Sequence, residues 1–185
     1  MPKMLVLLHN SVNFVVAKMK TMIITPKVFL VGLCFLVAPS VYGQGIGNVM
    51  FGASYEDAIV RIVDNFGTPT QATEDEVTYS DAWFEGFLWN RVYFKFKEGR
   101  LCEARFYRNH KTKLGAKTEL KSIAEKLGAK HELSIDYEED GNNFYAGGTS
   151  PVGIGRLFTI FMAPYKGQWS DQVRFGPFKF KDKEL

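Results

Sequence analysis

Residues 52–69 read GASYEDAIVRIVDNFGTP, residues 76–83 read EVTYSDAW, and residues 86–108 read GFLWNRVYFKFKEGRLCEARFYR. The first stretch carries the punctuation of an amphipathic helix. Ser54 stands in the capping position and Asp57 follows three residues later, in the manner of a capping box. Tyr55, Ala58, Ile59, Ile62, Val63 and Phe66 recur at the spacing of one helical face, with Arg61, Asp64 and Asn65 on the other. Gly67 offers a left-handed stop, and Pro69 forbids the helix to resume. The other two stretches alternate as strands do. Leu88, Val92, Phe94 and Phe96 share a parity with Asn90, whereas Trp89, Arg91, Tyr93 and Lys95 share the opposite one. Glu85-Gly86 reads as a turn and Glu98-Gly99 as a two-residue hairpin. The returning strand places Cys102, Ala104 and Phe106 on one face and Glu103, Arg105 and Tyr107 on the other. Such alternation is the signature of an antiparallel sheet with one covered face.

Outward from this stretch, the second half repeats the order loosely. Leu120, Ile123, Ala124, Leu127 and Gly128 lie 61 residues after Ile59, Ile62, Val63, Phe66 and Gly67. Residues 132–137 then read as a strand with Leu133, Ile135 and Tyr137 on one face. Asp140-Gly141-Asn142 reads as a turn and residues 144–147 as a short strand. Residues 154–162, apolar on both faces, are expected to form a central, doubly covered strand, and Trp169, Val173 and Phe175 close the set. The prediction is an α+β fold of two tandem helix-plus-antiparallel-strands units, residues 44–114 and a degenerate 115–185, forming one sheet with helices packed on one face. A short lead-in at residues 44–50 is expected to contribute an edge strand near Asn48.

Residues 1–43 read differently. Lys18, Lys20 and Lys27 precede an 11-residue apolar run, VFLVGLCFLVA, that Pro39 ends, and small residues at Val41 and Gly43 precede Gln44. This is the layout of a secretory signal peptide cleaved after Gly43, following an N-terminal extension, with Met19 or Met22 the more usual starting points. The run is too short for a spanning helix, which needs about 20 apolar residues. Cys34 follows Leu33 in mid-run, which does not fit a lipoprotein cysteine. Removing 43 of the 185 residues leaves 142, the size of one domain. It also takes 4 of the 23 basic residues and none of the 20 acidic ones, leaving 19 against 20, a net of −1. No single-sign footprint then remains for nucleic acid. Cys102 is left without a second cysteine, so an intramolecular disulfide is excluded.

The pattern Gly52-x-Ser54-x-Glu56-Asp57, the apolar helix face, Gly67-Thr68-Pro69, Tyr79, and the alternation running into Glu98-Gly99-Arg100-Leu101 resembles the SmpA/OmlA (BamE-like) envelope domain. That domain is related in fold to the β-lactamase-inhibitor-protein (BLIP-like) family, which carries two such units in tandem. The resemblance covers residues 52–108 closely and the second half loosely. It implies an envelope protein that grips another protein with its sheet.

Chemistry is sparse. Asp136, Glu138 and Asp140 with Gly141 imitate a calcium loop, but Gly147 stands where its bidentate Glu belongs. His110 and His131 have no short spacing to further metal ligands. Parity places Cys102 inward as an inert core thiol. No Gly-x-Ser-x-Gly elbow, Ser-x-x-Lys or phosphate loop occurs. No catalytic, cofactor or metal residue is therefore assigned, and the chain is expected not to be an enzyme. The candidate site is a protein-binding face of Trp89, Arg91, Tyr93, Lys95, Arg105 and Tyr107, since aromatic and Arg residues side by side are the composition of interface hot spots. The expected function is a secreted, periplasmic protein-binding module in envelope assembly or maintenance. The alternatives are an inhibitor of a secreted or envelope hydrolase, and a small-ligand carrier with aromatics lining a groove between sheet and helices.

Overall fold

Helix α1, Tyr55–Phe66, forms where its cap and stop place it. The Ser54 hydroxyl accepts the Asp57 N–H at 3.2 Å and donates to the Asp57 carboxylate at 3.0 Å. Gly67, at φ +78°, closes the last turn with its N–H on the Val63 carbonyl. Ala58 and Ile62 are buried, with Tyr55, Ile59 and Phe66 packed around them. The computed structural model describes residues 45–137 and 143–181, with residues 136 and 137 by backbone alone, all within the unit Val41–Leu185. The apolar leader run and the turn at Asp140-Gly141-Asn142 lie outside the described residues. Among the described residues, no helix is long and apolar enough to cross a membrane.

Strands β1 (Gly45–Ile46) and β2 (Val49–Met50) form a two-residue ladder of their own. The remaining strands are β3 (Gln71–Ala72), β4 (Glu76–Phe84), β5 (Phe87–Lys97), β6 (Arg100–His110), β7 (Leu133–Tyr137), β8 (Asn143–Thr149), β9 (Arg156–Tyr165) and β10 (Gln168–Phe175). Helix α2 (Lys113–Gly128) intervenes between β6 and β7. They make one antiparallel sheet in the order β3-β4-β5-β6-β10-β9-β8-β7. The last strand of each half thus meets at the centre, and the two halves run outward in mirrored order. Three two-residue hairpins, Glu85-Gly86, Glu98-Gly99 and Lys166-Gly167, hold both residues at positive φ, as the right-handed strand twist favours.

Both helices lie on one face, α1 against β4 and β6, α2 against β6, β9 and β10. The α+β architecture read from the sequence is the one observed. Ile62 from α1 and Leu120, Ile123 and Leu127 from α2 cover Phe94, Phe106, Ile160, Val173 and Phe175. Each side chain removed from water there contributes about 1.5–3 kcal/mol before entropy is charged against it.

Three expectations are corrected by the backbone. First, parity reverses midway along the β4–β5 pair. Asp81 adopts φ +57°, and the ladder position that would pair it with Asn90 is missing. Beyond it Ala82 and Trp89 turn to the core, and Leu88 leaves it. Second, a bulge between the Lys95 and Phe96 positions inserts Cys102 into β6. Leu101, fully buried, takes the core place opposite Phe96, while Cys102 is only half-buried and its thiol donates to the Lys95 carbonyl at 3.3 Å. Third, β9 is not a doubly covered strand. Ile154 lies before it, 86% exposed, and its outward Phe161 is sheltered by Phe144 and the Arg174 guanidinium rather than by a second layer. Helix α2 ends at Gly128, the position 61 residues after Gly67, although Gly128 does not take the positive φ of Gly67. The missing Cβ of Gly128 leaves room for Leu133, which would otherwise stand 3.0 Å away.

Candidate protein-binding face

The site is built on the face of the sheet turned away from both helices. Between the parity reversal and the bulge, Arg91, Tyr93 and Lys95 alternate outward on β5. They stand opposite Tyr107, Arg105 and Glu103 of β6. The central β6–β10 pairing adds Arg174 beside Arg105, and the β9–β10 hairpin brings up Tyr165. Tyr93, Lys95, Arg105, Tyr107 and Tyr165 together line a depression of about 270 Å³. Four of the six residues expected from the sequence therefore meet in one place. Arg91 joins them, donating to the Tyr93 hydroxyl at 3.2 Å.

Trp89 does not belong to this face. It is 1% exposed, its indole N–H donates to the Phe84 carbonyl at 3.1 Å, and its ring meets Phe106 edge-on. The parity reversal at Asp81 and Asn90 is the cause. Only β5 residues C-terminal to that irregularity keep the outward phase.

The rings form a chain. Tyr107 stands edge-on to Tyr93 at 5.8 Å and stacks on Tyr165 at 4.6 Å. Burial pulls the Tyr93 phenol upward. The hydrogen bonds it accepts from Tyr165 and Arg91, with the charges of Arg91 and Lys166, outweigh that pull and hold it below the ordinary phenol range. Tyr165, whose hydroxyl is engaged with Tyr93, is pushed up instead. Glu103 is 4% exposed on this face, with both oxygens taken by Arg105 and Arg174 3.6 Å away. Lys95 pairs with Glu76 at 3.0 Å. Arg91 and Lys166 have no carboxylate partner among the described residues, so the face is cationic. Tyr165, Lys166, Arg174 and the structural Glu103 were absent from the sequence-based site. Tyr165, Lys166 and Arg174 reach it only through the β6–β10 pairing, which local patterning does not specify, whereas Glu103 already shares β6 and its outward parity with Arg105.

Other chemistry is limited. Among the described residues, no group of three or more His, Cys, Asp or Glu side chains could hold a metal. Burial, followed by Glu103, pushes the Cys102 thiol up, which leaves it protonated and poorly nucleophilic at neutral pH. The His110 side chain is only 11% exposed. It lies beneath α2, with Nε2 2.8 Å from Asp171 Oδ2 and Nδ1 3.9 Å from Glu119, while Arg108 pairs with Glu119 at 2.7 Å. Asp171 is fully buried, and neither of its oxygens receives an aligned hydrogen bond. Burial and then the Glu119 charge push its carboxyl up to about 8, against the opposing charge of Arg108.

No family model, curated protein or solved structure matches this chain.

Proposed function

We propose that this chain is a non-enzymatic protein-binding module of the cell envelope, secreted to the periplasm, and that it grips its partner with the face around Tyr93, Arg105, Tyr107 and Tyr165. The observation that carries the reading is the convergence of those side chains on one depression of a sheet face that neither helix covers. Rigid, stacked phenols offer contact area at low entropic cost, and the arginines beside them suit an acidic partner. The buried Glu103 carboxylate holds Arg105 through two hydrogen bonds and attracts Arg174 from 3.6 Å, so both are oriented before any partner arrives. The resemblance to the SmpA/OmlA and BLIP-like domains supports the same reading, since both are envelope or secreted folds with a presented sheet. Work in envelope assembly or maintenance is the form we favour. Inhibition of a secreted or envelope hydrolase uses the same face and differs only in the partner.

The test is affinity capture of the tagged chain from the native envelope fraction, followed by reconstitution with the purified partner. Tyr93→Ala combined with Tyr165→Ala should weaken the complex about thirtyfold or more, as loss of a hot spot of roughly 2 kcal/mol does, while the melting transition is kept. Raising salt from 50 to 500 mM should weaken the remaining attraction further. A folded double variant that binds as well as the parent would remove the face from consideration.

A further inference from the structure

On the opposite side of the sheet, a crevice of about 600 Å³ opens between the two helices. Its floor is apolar, made by Ile46, Met50, Phe84, Leu127 and Phe175. The β1–β2 ladder forms one wall, tied to α1 by the 2.6 Å hydrogen bond that Asn65 donates to Asn48. Ligand clefts typically measure about 300–1,000 Å³ and combine apolar walls with few polar groups. The mouth carries four ionisable side chains, and their states differ. Lys130 is neutralised by Glu85, whose two oxygens lie 2.7 and 2.8 Å from its ammonium. His131 is held neutral because burial and the Lys130 charge lower its pKa. Arg61, from the exposed side of α1, has no hydrogen-bonding or ionic partner among the described residues.

We infer that this crevice binds a single-chain amphiphile with a carboxylate head, a fatty acid, with its chain on the Phe84–Leu127–Phe175 floor and its carboxylate on Arg61. One uncompensated guanidinium at an apolar mouth matches a single negative charge, and its planar fork takes a carboxylate through two parallel hydrogen bonds. A dianionic head would find no second free cation among the described residues that line the crevice, because Lys130 is already engaged. A neutral apolar molecule would leave Arg61 without a use. The inference is independent of the protein-binding face, which lies on the other side of the sheet.

The experiment is calorimetric titration of the full chain with dodecanoate, and in parallel with dodecanol, below their aggregation concentrations. Dodecanoate should bind saturably at one site, at least tenfold more tightly than dodecanol. Arg61→Gln should lose at least that tenfold for dodecanoate and leave dodecanol unchanged, and Tyr93→Ala with Tyr165→Ala should alter neither. Absence of saturable dodecanoate binding, equal affinity for acid and alcohol, or an Arg61→Gln variant that binds dodecanoate as the parent does would each overturn the assignment. Because Arg61 is exposed, its replacement leaves the core intact, and an unchanged melting transition checks this directly.

Discussion

Trp89 and Tyr93 sit four residues apart on the same strand and answer to different forces. Trp89 fills core volume against Phe106, whereas Tyr93 is half-exposed and touches its neighbours across the strand. Trp89→Ala should therefore cost about 3–5 kcal/mol through lost burial and the cavity left behind. Tyr93→Ala should cost about 1 kcal/mol or less, the scale of a cross-strand pair. Urea unfolding of both variants checks the contrast. Asp171 governs a second residue-scale effect. Its carboxyl titrates near the ordinary 3.8 when unfolded and at about 8 when folded, so the native state binds the extra proton between those values. Stability contributed by the protonated group is complete below about pH 4 and declines as pH rises toward 8, on the order of 1 kcal/mol per pH unit at most. His110, with its pKa lowered by burial, acts the other way, costing stability as pH falls below its ordinary value. Asp171→Asn should flatten this decline between about pH 4 and 8, while the groups around it (Arg108, His110 and Glu119) stay in place. Thermal unfolding across pH 5 to 9 reads this out, and an unchanged slope would exclude Asp171 as its source.

At the scale of elements, α1 depends on its first turn. Ser54 satisfies the Asp57 N–H, and the adjoining backbone pairs with the β5–β6 hairpin, with Gly52 N–H on the Leu101 carbonyl and Tyr55 N–H on the Gly99 carbonyl. Ser54→Ala should cost about 1 kcal/mol by leaving an amide without its acceptor. Denaturant unfolding should show it as a lower midpoint with the slope retained. The hairpins follow local rules closely enough that Glu85-Gly86 and Glu98-Gly99 were legible from two letters each. The bulge at Cys102 and the reversal at Asp81 were not. Both insert or invert a single residue within an otherwise regular alternation, and β-formers on either side read the same before and after. The phase of a strand is set by its partners' register as well as by its own letters. This is why simple alternation puts Leu88, Trp89 and Cys102 on the wrong faces and Val92, Phe94 and Phe96 on the right one.

Across the whole molecule, mirrored strand order has a simple consequence. With β6 and β10 paired at the centre and both helices on one side, the sheet presents an outer face that neither helix covers. Residues from β5, β6, β9 and β10 assemble there, so the proposed interface straddles the junction of the two halves. The inter-helix crevice straddles it on the other side, lined by β1, β2, α1, α2 and the ends of β4 and β10. Two ligands could thus be held back to back without sharing a side chain. Capture of a protein and titration with dodecanoate should accordingly respond to separate substitutions, Tyr93 and Tyr165 for the first, Arg61 for the second.

Local patterning along the chain is enough for the α+β class, both helices, the hairpins from β4 to β6, and most of the candidate face. These rest on short-range physics: capping, the 3.6 and 2.0 periodicities, and the steric demands of tight turns. Tertiary structure alone decided that Trp89 is core, that Tyr165 and Arg174 complete the face, that His110 and Asp171 meet beneath α2, and that Arg61 overlooks an apolar crevice. Each of those depends on which strands pair across tens of residues and on one-residue shifts in phase. Such choices are settled by the packing of the whole sheet rather than by neighbours in the chain.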